Sequence, residues 1–228
     1  MENGSGGAKA LLTHYLTLRR AIGVLGILFP LLLWLGALLV FRVGLQKSIS
    51  AYYHTGMGDV FVGTLCVIGF FLRAYRGYER LETDKWLTDN AAGNLACVFA
   101  VGVALFPPKP DGVVSLCVRI VGIVHWTFAG LFFLTLIYFS LYQFTKTKSK
   151  GKESPRKRKR NWVYRVCGWT MFGCIVLIGI HAFFPKSFLE VLRPIFVLET
   201  AAVVAFGVSW LTKGKVLRMN LFTRWKKI

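Results

Sequence analysis

The sequence predicts an all-α integral membrane protein: six transmembrane helices paired as three hairpins, with both termini cytoplasmic. Three observations carry that expectation. The 228 residues are 55% hydrophobic and 15% aromatic, with a mean hydropathy of +0.54, too apolar for a soluble domain of this length. Six apolar runs approach the ~20 residues that a bilayer crossing requires, at about 21–41, 58–75, 91–107, 113–140, 164–184 and 195–211. Basic residues alternate in density between these runs. Segments 1–20, 73–89, 144–165 and 212–228 carry 3, 4, 10 and 6 Lys plus Arg, together 23 of the 29. The other connections hold two each, Arg42 and Lys47, Lys109 and Arg119, and Lys186 and Arg193, so every loop agrees with one positive-inside orientation.

Each run has local chemistry to match. The first follows Arg19 and Arg20 and is too long for the apolar region of a signal peptide. The second opens after "SISAYYHTGMGDVFVG" (Ser48 to Gly63), where Ser50 or Thr55 can cap a helix, Asp59 complements its positive end, and Tyr52 and Tyr53 suit the interface. The third is preceded by "RAYRGYERLETDKWLTDN", read as an amphipathic segment along the headgroups, with Asp89 and Asn94 as capping residues. It ends in "ALFPPKP", and the fifth ends in the similar "AFFPKS"; proline stops both helices. Gly122, Ala129 and Gly130 make the fourth run the nearest approach to a small-residue stripe, while Gly23, Gly26, Gly63, Gly69, Gly168 and Gly173 offer scattered close approaches. The sixth carries Glu199. Little sequence remains outside these elements, so residues 1–228 read as a single domain.

A net charge of +19 and a pI near 10.1 suggest nucleic acid in a soluble protein. Here the densest stretch, "KTKSKGKESPRKRKRNW" (Lys146 to Trp162), falls in a short connection, where topology accounts for it. Anionic lipid headgroups at 146–160 are the expected partner, and nucleic acid is not. Five cysteines, odd in number and without a C-x-x-C pair, imply neither a disulfide framework nor a zinc ribbon. The expected location is a cell membrane, plasma or inner.

Ionisable residues inside or beside the runs mark a candidate site. Helical rise places His125 about 31 Å from Lys146, and Glu199 about 21 Å from Lys213, both in the outer third. His181 stands just below the outer turn, and Ser50, His54 and Asp59 lie at the start of the second helix. A carboxylate in hydrocarbon costs about 2.5 to 3.5 kcal/mol on insertion scales, so Glu199 is expected to point inward toward a partner, with Arg119, His125 and His181 available. One outer pocket formed by Ser50, His54, Asp59, Arg119, His125, His181 and Glu199 is the resulting expectation. Three histidines and a carboxylate are also the donor types zinc uses, which makes His54, His125 and His181 an alternative ligand set.

The elements "SISAYYHT", "DVFVG", "FFLRAYRGY", "AGNLACVFAVGVALFP" and "GIVHW" resemble a family of uncharacterised bacterial six-span membrane proteins. The S-I-S element after the first span is similar to DRAM and Sfk-type six-span proteins, which implies a place in membrane organisation. Ser50 and His54 form an S-x-x-x-H pair similar to that of the alkaline-ceramidase superfamily of membrane hydrolases; the resemblance implies a zinc site with Ser50 as its serine and His54 as a ligand. This chain departs from that pattern in having six spans and Glu199, not paired histidines, on its last helix.

Three functions follow. The first is non-catalytic: the outer-leaflet polar pocket binds a lipid headgroup or small amphiphile. The alternative is a zinc-dependent hydrolase acting on lipid, with Asp59 or Glu199 as general base. The third is a proton-coupled transporter using Glu199 and a histidine.

Overall fold

A computed structural model describes residues 3–75, 87–146, 154–181 and 191–215. The described residues are helical, without a strand. Helix α1 runs Asn3–Phe41, α2 Gly58–Ala74, α3 Asp89–Leu105, α4 Leu116–Tyr138, α5 Pro155–His181 and α6 Pro194–Lys213. Within them, Thr13–Phe41, Leu116–Gln143, Pro155–His181 and Pro194–Lys213 are long and apolar enough to cross a membrane, as in a multi-pass integral membrane protein. Helices α2 and α3 have 17 residues each, about 25 Å of rise.

Each helix packs against its neighbours in chain order, and α6 closes on α1, so the six form a ring. Lipid-facing apolar residues gain nothing by leaving hydrocarbon, so close backbone approach must hold the seams. At the α1–α6 crossing Gly23 and Gly207 face one another. A Cβ on Gly207 would stand 2.6 Å from both the Gly23 carbonyl oxygen and Ile27 Cγ1, and one on Gly26 would meet the Phe206 ring at 2.9 Å. At the α2–α3 seam the small-residue stripe is Ala92, Ala96, Ala100 and Ala104, all buried at four-residue spacing on α3. It lies against α2, where a Cβ on Gly69 would meet Ala100 Cβ at 3.1 Å. The expected stripe in the fourth run is corrected: Gly130 faces open space, and Gly63 and Gly173 do the same. Gly122 meets Lys109 of the preceding loop.

The helix ends also depart from expectation. Ser50 and Thr55 do not cap α2, whose N-cap is Met57; Ser50 begins a 3₁₀ turn, Ser50–His54, and Thr55 Oγ1 accepts from the Met57 amide at 3.1 Å. Thr88 caps α3 in place of Asp89 and Asn94, accepting from the Ala91 amide at 3.2 Å. Helix α5 starts at Pro155, well before the apolar run, because its basic residues are helix formers. Arg42, at φ 54°, ends α1 in the left-handed region, and Val43 returns its amide to Ala37. Most of the "RAYRGYERLETDKWLTDN" segment, residues 147–153 of the basic connection and the "AFFPKS" turn lie outside the described residues.

The ring differs between its ends. At the basic end α4 continues as a π turn, Phe139–Gln143. The wider turn buries Phe139, Ser140 and Gln143 together. Ser140 pairs with Ser209 of α6 at 2.7 Å, and Gln143 donates to the Leu87 carbonyl at 2.6 Å. Tyr75, Phe139, Phe144, Tyr164 and Trp210 pack there, mostly edge to face and with Phe139 and Phe144 tilted, the Tyr75 and Trp210 centroids 4.9 Å apart. At the opposite end the segment after α1 folds back over the ring.

Gly207→Ala is expected to lower the midpoint of thermal unfolding in detergent by overpacking worth about 1 to 3 kcal/mol. Gly63→Ala, where the added methyl meets open space, is expected to leave the midpoint unchanged or raise it; equal effects would show that the α1–α6 crossing does not hold the ring.

Candidate functional site

The segment between α1 and α2 is apolar or hydroxylated from Ser48 to Tyr52, which lets it leave water. Ser48, Ile49, Ser50, Ala51 and Tyr52 are all buried. A buried, non-helical stretch needs partners for its amides, and the sequence supplies one from far away. The Ile49 amide donates to Glu199 Oε2 at 2.5 Å, and the Ser50 amide acts on the same carboxylate. On the same helix the Phe196 amide, free in the first turn of α6, donates to the Lys47 carbonyl at 3.0 Å. Ser48 Oγ accepts from the Ala51 amide at 3.0 Å and pairs with Ser50 Oγ at 3.2 Å. Burial pushes the Tyr52 phenol above its ordinary value, against a smaller lowering by the Gln46 amide that donates to it. Residues 47–57 thus form a lid fixed to α6.

The lid is also fixed to the α3–α4 connection. His54 Nε2 donates to the Pro108 carbonyl at 2.7 Å, and Lys47 forms an ion pair with Asp111. From α4, His125 Nδ1 donates to the Phe106 carbonyl at 2.7 Å. Both histidines therefore act as buckles on the 106–111 stretch.

Under the lid, inside the ring, lies a partly open cavity of about 60 Å³. Phe29 of α1, Phe61, Leu65 and Ile68 of α2, and Val103 of α3 form one side. Trp126, Ala129, Phe132, Phe133 and Leu136 of α4, with Val203 and Phe206 of α6, form the other. No α5 residue lines it. Trp126, 45% exposed, stands at the rim. Of the seven residues expected in one pocket, Ser50, His125 and Glu199 line this cavity. His54, Asp59, Arg119 and His181 do not: His54, Asp59 and Arg119 are exposed, and His181 ends α5, the helix absent from the wall. Glu199 takes backbone amides as partners, not Arg119, His125 or His181. The polar groups that reach the cavity are already engaged, so its wall is apolar in character.

Among the described residues no three His, Cys, Asp or Glu side chains gather as a metal-binding group, so His54, His125 and His181 are not assembled as ligands. Sequence reasoning missed most of the wall. Trp126 was adjacent to a noticed histidine, but Ala129, Phe133 and Val203 carry no signal separating a cavity wall from a lipid-facing flank. The chain matches no protein-family model, no curated protein and no solved structure.

Glu199→Leu is expected to leave the Ile49 and Ser50 amides without an acceptor, at about 1 to 3 kcal/mol for each buried orphan. Amide hydrogen exchange across residues 47–57 should then accelerate, and less so in Glu199→Gln, which keeps an acceptor oxygen. Unchanged exchange in both would show that the carboxylate does not hold the lid.

Proposed function

We propose that this is a six-span membrane protein, both termini cytoplasmic, whose ring of helices receives the hydrocarbon part of a lipid or small amphiphile beneath an extracytoplasmic lid. The observation that carries the reading is the cavity wall: apolar side chains from five helices, with Ser50, His125 and Glu199 committed to holding the lid and its neighbours. A charged headgroup would find no free partner inside, whereas a short stretch of an acyl or isoprenoid chain would match the wall, the rest of the chain lying outside the cavity of about 60 Å³. The headgroup would stay at the rim, where Trp126 suits a membrane interface. In this arrangement α2 and α3, although short, cross as members of the ring, with the lid and Phe106 to Pro108 extending them on the outer side. The basic residues Arg19, Lys146, Lys157, Arg160 and Lys213 stand at the other end, in keeping with the positive-inside rule.

The cavity is tested with a phospholipid bearing a photoactivatable group on its acyl chain, in nanodiscs holding the full chain. Cross-links should map to α4 between 125 and 136 and to α6 between 199 and 206. Ala129→Trp, which fills the cavity, should weaken labelling by about tenfold, the factor that about 1.4 kcal/mol of lost fit represents. Leu134→Trp, on an exposed flank, should leave labelling intact; equal labelling in both variants would remove the reading.

Orientation is tested separately, in a chain whose five cysteines are replaced by alanine. An impermeant thiol reagent should label Val113→Cys in intact cells and Lys159→Cys only after permeabilisation; the reverse pattern would invert the topology.

A further inference from the structure

The basic end of the ring carries a second arrangement that the cavity does not use. Its charged side chains are held on aromatic faces: the Arg19 guanidinium lies 5.2 Å from the centre of the Tyr75 ring, and Lys213 Nζ lies 4.7 Å from that of Phe144. Those rings belong to the buried aromatic cluster around Trp210. Stacking on a ring face leaves the in-plane N–H groups of a guanidinium free for an acceptor. Two donors are buried here without an acceptor among the described residues, Arg19 Nε and Trp210 Nε1, the latter on a fully buried side chain. Both flank the Tyr75 ring. Buried donors without acceptors are rare enough to ask what completes them.

Helix α5 adds to the same place selectively. Lys157, Arg160, Asn161 and Tyr164 recur at spacings of three and four, one face of a helix. That face turns inward: Asn161 and Tyr164 are buried, Tyr164 meets Phe144 at 5.3 Å, and Lys157 and Arg160 lie within electrostatic reach of Lys213. Arg156, Arg158 and Lys159, on the other face, are exposed. Arg19 also lies within reach of Lys213, and so does the buried Asp89 carboxylate. Four cations therefore gather at this end of the ring, and Lys157 Nζ also donates to the Lys146 carbonyl. Positive-inside topology requires basic residues on this side of the protein, but it does not require that four of them be half-buried and two of these stacked on buried rings.

We propose that this end of the ring binds a phosphate oxyanion, held by Arg19, Lys157, Arg160 and Lys213. Phosphate oxygens supply the acceptors that the donors lack, and a guanidinium fork matches two of them at once. The chemistry is shared by an anionic phospholipid headgroup and by free phosphate. The proposal is independent of the apolar cavity and stands whether or not that cavity takes an acyl chain.

The test uses the full chain purified in neutral detergent, with two probes: phosphatidylglycerol, read as lipid retained in native mass spectrometry, and inorganic phosphate, read as a rise in the unfolding midpoint. Arg160→Gln and Lys157→Gln should each weaken binding by about tenfold, while Lys159→Gln, the same charge loss on the exposed face, should bind as the parent does. Arg160→Lys keeps the charge without the fork and should fall between. Because residues 157, 159 and 160 share one helix turn, a folding defect is separated by the unfolding midpoint without ligand. Binding of phosphatidylglycerol alone assigns the site to a headgroup, and binding of both assigns it to phosphate in general; either supports the proposal. Binding of neither probe, or equal loss in Lys159→Gln and Arg160→Gln, overturns it.

Discussion

The Glu199 carboxylate, accepting amides from a chain segment 150 residues away, is the contact on which the rest of this architecture turns. A carboxylate among packed helices and a buried stretch of non-helical backbone are each costly alone. Together they cancel much of that cost, because acidic oxygens are good acceptors and the lid's amides need one. The lid can then sit inside the ring, and the space beneath it is closed from above without being filled. Had Glu199 been apolar, the natural place for residues 47–57 would be outside, in water.

The ring's two ends solve different problems with different residues. Under the lid, large apolar side chains from α1, α2, α3, α4 and α6 meet imperfectly and leave a gap. At the basic end, the π turn in α4 packs Phe139 against Tyr75 and Trp210 and leaves little room. Phe206 belongs to both regions, lining the cavity and standing 6.1 Å from Trp210. The aromatic cluster is thus the floor of the cavity as well as the seat of the stacked cations.

Much of the fold was legible because hydropathy and helix stops are local properties. Helices α2, α3 and α6 each begin and end within two residues of their apolar runs. The α5 start was not legible from hydropathy, since lysine and arginine continue a helix that the apolar count has already left. The alanine stripe of α3 was less legible, because alanine permits close backbone approach but is also the best helix former. At the site, the cost of a carboxylate in hydrocarbon made the inward turn of Glu199 legible, but its partners are backbone amides, which have no signature in sequence. Depth along a helix was readable for His125, His181 and Arg119, but each residue turns the side chain by about 100°. Residues of one helix can therefore face different surroundings, as Arg119 and His125 of α4 do: six residues apart, they point about 120° from one another, with His125 1% exposed and Arg119 open to the surroundings.

The paired glycines of α1 and α6 bear on how the molecule is made. Gly23 and Gly26 present bare backbone whose counterpart, Gly207, lies some 180 residues further along the chain. During synthesis that groove stays without its mate while the intervening helices are made, and it is covered only when α6 arrives. Glu199 reaches the waiting amides of Ile49 and Ser50 in the same event, since it sits two turns before Gly207 on α6. Closure of the circle and seating of its roof are therefore a single step.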